Sequence, residues 1–146
     1  MTNDKLFVKG KLDIVLRNAS GVVIEERHIP NLVVDTGNNY IASRMKDATA
    51  TAMTHMAVGT GGTAPTAGDT TLAIEAARVA LTSTTVTGND VAYVATFPAG
   101  TGTAALVEAG LFNASSAGTM LARTTYSVIN KGAADTLTVT WTITVG

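Results

Sequence analysis

Thr136, Leu137, Thr138, Val139, Thr140, Trp141, Thr142, Ile143, Thr144 and Val145 alternate threonine with an apolar residue for ten positions. Only an extended strand repeats every two residues, so the five apolar side chains face one way and the five hydroxyls the other. A long strand with one apolar and one hydroxylated face belongs in an antiparallel sheet that buries one side. Trp141, between Val139 and Ile143, is expected to pack in the core. The opposite face, represented by Thr138, Thr140 and Thr142, is the candidate interface.

The rest of the chain extends the same pattern. Residues 5–17 alternate Leu6, Val8, Gly10, Leu12, Ile14 and Leu16 with a largely polar set. The turn chemistry of Asn18, Ala19, Ser20 and Gly21 joins this strand to an extended segment over 22–29, closed by Pro30, and the pair reads as a hairpin. Tyr40, Ile41, Arg44 and Met45 fall at spacings of three and four, which predicts one short helix over 36–46 with Asp35 or Thr36 as N-cap. Residues 48–54 read as a loop and 55–58 as a short strand. Residues 59–68 hold four glycines and Pro65 and cannot be regular. A single helical turn is expected at 69–73, one extended segment over 75–87, a turn at Gly88, Asn89 and Asp90, and a strand over 91–97.

After a loop at 98–103, strands over 104–112 and 119–127 flank a second Asn-Ala-Ser turn that begins at Asn113. The resulting eight or nine strands with one helix predict a mainly β protein. The expected architecture is an antiparallel β-sandwich of possible jelly-roll form, with residues 1–9 as an N-terminal arm or the start of the first strand and 10–146 as one domain.

Composition limits the function. The 146 residues carry 10 basic and 11 acidic side chains, a formal charge of -1, with no basic cluster. Such a chain supplies no field for phosphate backbones or anionic lipid, so neither nucleic acid nor membrane is an expected partner. The absence of cysteine removes disulfides, thiolate catalysis and cysteine zinc sites. No segment approaches the roughly 18 apolar residues of a membrane-spanning helix, and residues 1–10 do not read as a secretory signal. Synthesis and folding in a cytosol are the expectation. Charged residues are only 14% of the chain while 25 residues are threonine. That composition suits a subunit held in an assembly better than a free monomer, whose solubility benefits from charge.

Motifs for chemistry are weak. Gly59, Thr60, Gly61, Gly62, Thr63 and Ala64 fit Gly-x-Gly-x-x-Ala, but a dinucleotide site needs a helix beginning in that loop, and Pro65 and Gly68 deny it one. His28 and His55 have no metal-ligand spacing, and no nucleophile elbow is present. Glu25 and Glu26 are adjacent and face opposite sides of a strand. Glu75 and Arg78 are spaced to meet on a helical turn, or alternatively Glu108 and Arg123 can meet across the second hairpin; such pairs are usually structural. The sequons at Asn18 and Asn113 matter only in a secretory pathway. The expectation is a protein without catalytic residues, cofactor or metal.

The order of segments is informative in another way. Residues 10–16 (Gly-Lys-Leu-Asp-Ile-Val-Leu), 31–37 (Asn-Leu-Val-Val-Asp-Thr-Gly), 56–61 (Met-Ala-Val-Gly-Thr-Gly), Leu72 with Glu75 and Arg78, 108–112 (Glu-Ala-Gly-Leu-Phe), 118–123 (Gly-Thr-Met-Leu-Ala-Arg) and 138–143 (Thr-Val-Thr-Trp-Thr-Ile) follow one another. Together they resemble small structural proteins of tailed bacteriophages, described as capsid decoration (cement) proteins, tail-fibre proteins or virion proteins. The resemblance runs from about Gly10 to the end. It implies a β-rich virion subunit that forms a homo-oligomer and contacts the major capsid protein or other virion proteins, with no catalytic or binding residue to transfer.

A fibre needs a shaft of coiled coil, collagen triplets or β-repeats, and none is visible. Capsid decoration is therefore the leading expectation, with many copies adding contact area across the shell. The alternative is a tail-fibre or baseplate adhesin module whose loops at 59–68 and 98–103 touch host glycans. A glycan hydrolase would need paired carboxylates on one face, which the sparse acidic residues do not provide.

Overall fold

The computed structural model describes residues 7–47 and 50–146. Lys5 and Leu6, expected in the first strand, and Ala48 and Thr49, expected in a loop, lie outside the described residues. Ten strands and one helix follow in the order β1 (Val8–Arg17), β2 (Val23–Pro30), β3 (Leu32–Val33), α1 (Asp35–Asp47), β4 (His55–Gly59), β5 (Glu75–Ala80), β6 (Ser83–Thr87), β7 (Asp90–Phe97), β8 (Ala104–Phe112), β9 (Met120–Lys131) and β10 (Thr136–Val145).

Two five-stranded antiparallel sheets result, with orders β2-β1-β10-β7-β6 and β3-β9-β8-β4-β5. The protein is mainly β and sandwich-like, as the alternation predicts. These strand orders leave the jelly-roll form of that expectation unsupported.

The threonine-apolar strand is the centre of the first sheet. It pairs with β1 from Val8 opposite Val145 to Arg17 opposite Thr136, and with β7 from Asp90 opposite Thr144 to Phe97 opposite Leu137. Its apolar side meets the second sheet. Leu12, Ile14, Phe97, Val139 and Trp141 pack with Met56, Leu106, Leu111, Leu121 and Ile129, all at most 2% exposed. Burying a side chain of this size contributes about 1.5–3 kcal/mol each relative to exposure.

The helix spans Asp35–Asp47, close to the expected 36–46, and packs Tyr40 and Ile41 onto the core. Gly37 lets it approach β9, since a Cβ there would lie 2.1 Å from the Leu121 carbonyl oxygen. Asp35 in the first turn and Arg44 and Lys46 in the last complement the helix dipole. Thr36 does not act as the cap: its hydroxyl donates to the Met120 carbonyl at 2.9 Å.

Three other expectations change. No helical turn forms at 69–73, because the amides of Ala73 and Ile74 bond a carboxylate from β8 instead of one another's neighbours. The extended segment at 75–87 breaks at Leu81 and Thr82, so β5 joins the second sheet and β6 the first. β9 continues to Lys131, past its expected end at 127. The Asn18 and Asn113 turns form as expected, each with its amide oxygen accepting backbone N–H groups: Ser20 and Val22 for Asn18, Thr119 for Asn113.

Candidate interaction surfaces

Thr138, Thr140 and Thr142 project from β10 on the side of the sheet away from the second sheet, and each is half-buried. Thr138 sits across from Val15 and Thr96, Thr140 from Asp13 and Val94, and Thr142 from Lys11 and Ala92. The surface is graded. Towards β1 and β2 it presents Lys11, Asp13, Arg17, Glu26 and His28. Towards β7 and β6 it presents Ala92, Val94, Thr96, Ser83 and Thr85, with Asp90 accepting the Thr144 hydroxyl at 2.6 Å. A smooth, hydroxylated, β-branched surface of this kind resists neither hydration nor close contact with another protein.

The histidines do not meet. His28 lies on this outer face with Nδ1 2.6 Å from Asp13 Oδ1 and Nε2 3.6 Å from Glu26 Oε1. Exposed pairs of this kind contribute about 0–1 kcal/mol. His55 is on the other sheet, with Nδ1 2.7 Å from the Thr54 hydroxyl. Among the described residues no three His, Asp or Glu side chains are placed to hold a metal ion.

The Gly-x-Gly loop has a structural explanation. Glu108, on β8, is fully buried and its carboxylate accepts the backbone N–H groups of Gly61 (2.7 Å), Ala73 (2.8 Å) and Ile74 (2.8 Å). Arg123, on β9 and 2% exposed, donates to Glu108 Oε1 from Nε at 3.2 Å and from Nη2 at 3.0 Å. It also donates to Asp69 Oδ2 at 3.0 Å and to the Thr63 carbonyl at 2.9 Å. The expected Glu108–Arg123 pair therefore forms, diagonally across the hairpin, because Gly110 rather than Glu108 is the direct partner of Arg123.

Glycine is required because residues 73–74 and the carboxylate both come so near the chain: a Cβ at Gly59 would lie 2.2 Å from the Ile74 carbonyl oxygen and one at Gly61 2.3 Å from Ala73 Cβ. A Cβ at Gly59 would lie 2.7 Å from Glu108 Oε2, and one at Gly61 would lie 2.6 Å from the same atom. Partial burial alone would raise the Asp69 carboxyl. Hydrogen bonds from the Thr66 amide and hydroxyl and from Arg123 outweigh it and hold the group below its ordinary 3.8. The cluster is a fastening for residues 60–74, with its donors and acceptors turned on one another.

Glu75 and Arg78 also meet, with Arg78 Nη2 2.7 Å from Glu75 Oε1, but at the start of a strand rather than on a helical turn. The Arg78 guanidinium lies 3.8 Å from the centre of the Phe112 ring and donates to the carbonyls of Ala114 and Ala117. It thus fixes the second Asn-Ala-Ser turn against β5.

One feature escaped the sequence. A cleft of about 390 Å³ opens between α1 and the inward side of β6 and β7, with Met53, Leu121 and Ile143 at its base and Tyr40, Ile41 and Val86 on its walls. It exists because β6 carries the first sheet beyond the second, so Val86 stays 70% exposed although it is on the core-facing side. Burial pushes the hydroxyl of Tyr93, which also lines the cleft, up to about 12, with Tyr40 adding to the rise and Arg44 opposing it. The sequence read as one extended segment over 75–87, so the change of sheet at Leu81 and Thr82 that creates the cleft gave no signal.

Comparison with known proteins adds the family. The family model for the N-terminal part of phage tail-collar fibre proteins matches residues 26–145. Neither a curated protein nor a solved structure matches the chain. Matched over most of its length by this model, the two-sheet chain belongs to the phage tail-collar fibre family and is a structural protein of a tailed-phage virion.

Proposed function

We propose that this chain is a tail-associated module of a fibre, held in the virion by protein–protein contact, and that it performs no catalysis. The observation that carries the reading is the family match over residues 26–145. The missing shaft, which favoured capsid decoration on sequence grounds, loses its weight: a module from the N-terminal part of a fibre has no need to contain one. The buried Glu108–Arg123–Asp69 cluster supports the non-catalytic part, because its donors and acceptors are engaged in holding residues 60–74.

Within this reading the face bearing Thr138, Thr140 and Thr142 is the contact surface for a neighbouring virion protein. Position on the particle tests the role. Separation of heads from tails, quantitative mass spectrometry and cryo-EM should find a few copies per particle, all in the tail fraction. Hundreds of copies on the capsid would restore decoration.

Thr140→Lys tests the face. Its cross-strand neighbour is Asp13, so the isolated protein tolerates the new charge. Incorporation into particles should fall at least about tenfold, the effect of forcing a long charged side chain into a contact shaped for a threonine. Wild-type incorporation would show that the face is only hydrated.

A further inference from the structure

We propose that β6 is a self-association edge, along which a second copy of this chain adds its own β6 antiparallel to form one continuous sheet across a two-fold axis. The inference is independent of where the particle carries the protein. A sheet edge invites strand addition unless it is blunted by charge, proline, bulges or brevity. Three of the four edges here are blunted. β2 carries Glu25, Glu26, Arg27, His28 and Pro30; β3 is two residues long; and β5 carries Glu75 and Arg78 with a register shift opposite Val58 and Gly59. β6 reads Ser83, Thr84, Thr85, Val86, Thr87, with no charge and no proline, and every residue is exposed. It is hydrogen-bonded to β7 on one side only.

The strand's own sequence names the occupant. A two-fold axis perpendicular to a sheet pairs residues of equal parity, so that side chains on one face stay on that face. Centring the pairing on Thr85 sets Thr85 opposite its symmetry mate, Thr84 opposite Val86 and Ser83 opposite Thr87. Threonine–threonine and threonine–valine are favourable cross-strand pairs, and no like charges are opposed. Thr85 shares the outer face with Ala92 and Thr142, so the threonine surface would continue across the junction. On the other face the two Val86 side chains would become diagonal neighbours and cover the cleft between α1 and β6, which removes from water the apolar surface this edge leaves open.

The chain has no cysteine, which makes cross-linking a clean test. Under mild oxidation, the full-length Thr85→Cys protein should give a disulfide-linked dimer, because only Thr85 faces its own copy. His28→Cys, equally open to solvent on the blunted β2 edge, serves as the control and should stay mainly monomeric.

In sedimentation velocity, the wild-type chain should show a concentration-dependent dimer. Val86→Lys should weaken it roughly tenfold or more in Kd, with circular dichroism and thermal unfolding confirming that this exposed strand still folds. Three results would overturn the proposal: cross-linking of Thr85→Cys no greater than the control, a Val86→Lys protein that associates as the wild type does, or a monomeric wild type whose Val86→Lys variant fails to enter particles. The last would assign the edge to a strand of another virion protein.

Discussion

At the scale of single residues, Glu108 connects the most structure. Its buried carboxylate holds three backbone amides and one guanidinium, so replacing it strips three amides of their acceptor and leaves the buried Arg123 with Asp69 as its remaining carboxylate partner. Glu108→Gln should cost about 3–5 kcal/mol in denaturant unfolding, since an amide has one acceptor oxygen and directs N–H groups at donors. Combining it with Arg123→Met should cost less than the sum of the two, because both single changes break the same Glu108–Arg123 hydrogen bonds.

Tyr93 gives a second, pH-resolved expectation. Its hydroxyl ionises near 10.0 when unfolded and at about 12 when folded. The folded state therefore holds the extra proton between these values. Its contribution to stability is complete below pH 10 and lost as pH rises to about 12. Tyr93→Phe should flatten the fall in stability over that window, read as Tm against pH. The Glu108–Arg123 pairing was legible in sequence because a hairpin brings its two arms together. The three amides were not, since they arrive from a loop 34 to 47 residues away in the chain.

At the scale of elements, local periodicity was a sound guide wherever neighbours agreed with it. The ten-residue alternation at Thr136–Val145 and the three-four spacing of Tyr40, Ile41 and Arg44 correspond to β10 and α1. It failed where an element's fate depends on which sheet it joins. Nothing in the β-branched composition of 75–87 says that the chain must change sheets at Leu81, and that change creates both the free edge and the cleft. The loop at 59–68 was similarly opaque, because the demand for glycine comes from the close approach of Ala73, Ile74 and the β8 carboxylate, which are distant in sequence.

Gly61→Ala tests that account. A methyl group there meets Ala73 Cβ at 2.3 Å as well as Glu108 Oε2. It should destabilise the protein by about 1–3 kcal/mol through overpacking, whereas Gly62→Ala, with open space around it, should change stability by less than about 0.5 kcal/mol. Limited proteolysis should then cut the Gly61→Ala protein faster within residues 60–74.

For the whole molecule, the decisive fact is that the centre of the first sheet is the last strand of the chain. β1 and β7 are not hydrogen-bonded to each other; each is paired to β10, which also supplies Trp141 to the core. The β1–β2 and β6–β7 hairpins can therefore form early, yet the sheet that unites them waits for residues 136–145. Sheets closed by such distant pairings fold slowly because loop-closure entropy precedes the gain from contacts. Two consequences separate this topology from a sandwich built of consecutive hairpins. Deleting residues 136–146 should abolish the cooperative unfolding transition altogether rather than lower its midpoint, since the two hairpins lose their common neighbour. Trp141→Ala should cost about 3–5 kcal/mol, and if β10 docks last, as the topology predicts, it should speed unfolding more than it slows folding in a stopped-flow chevron. A variant that mainly slowed folding would place β10 in the folding nucleus instead, and the order of assembly would be reversed.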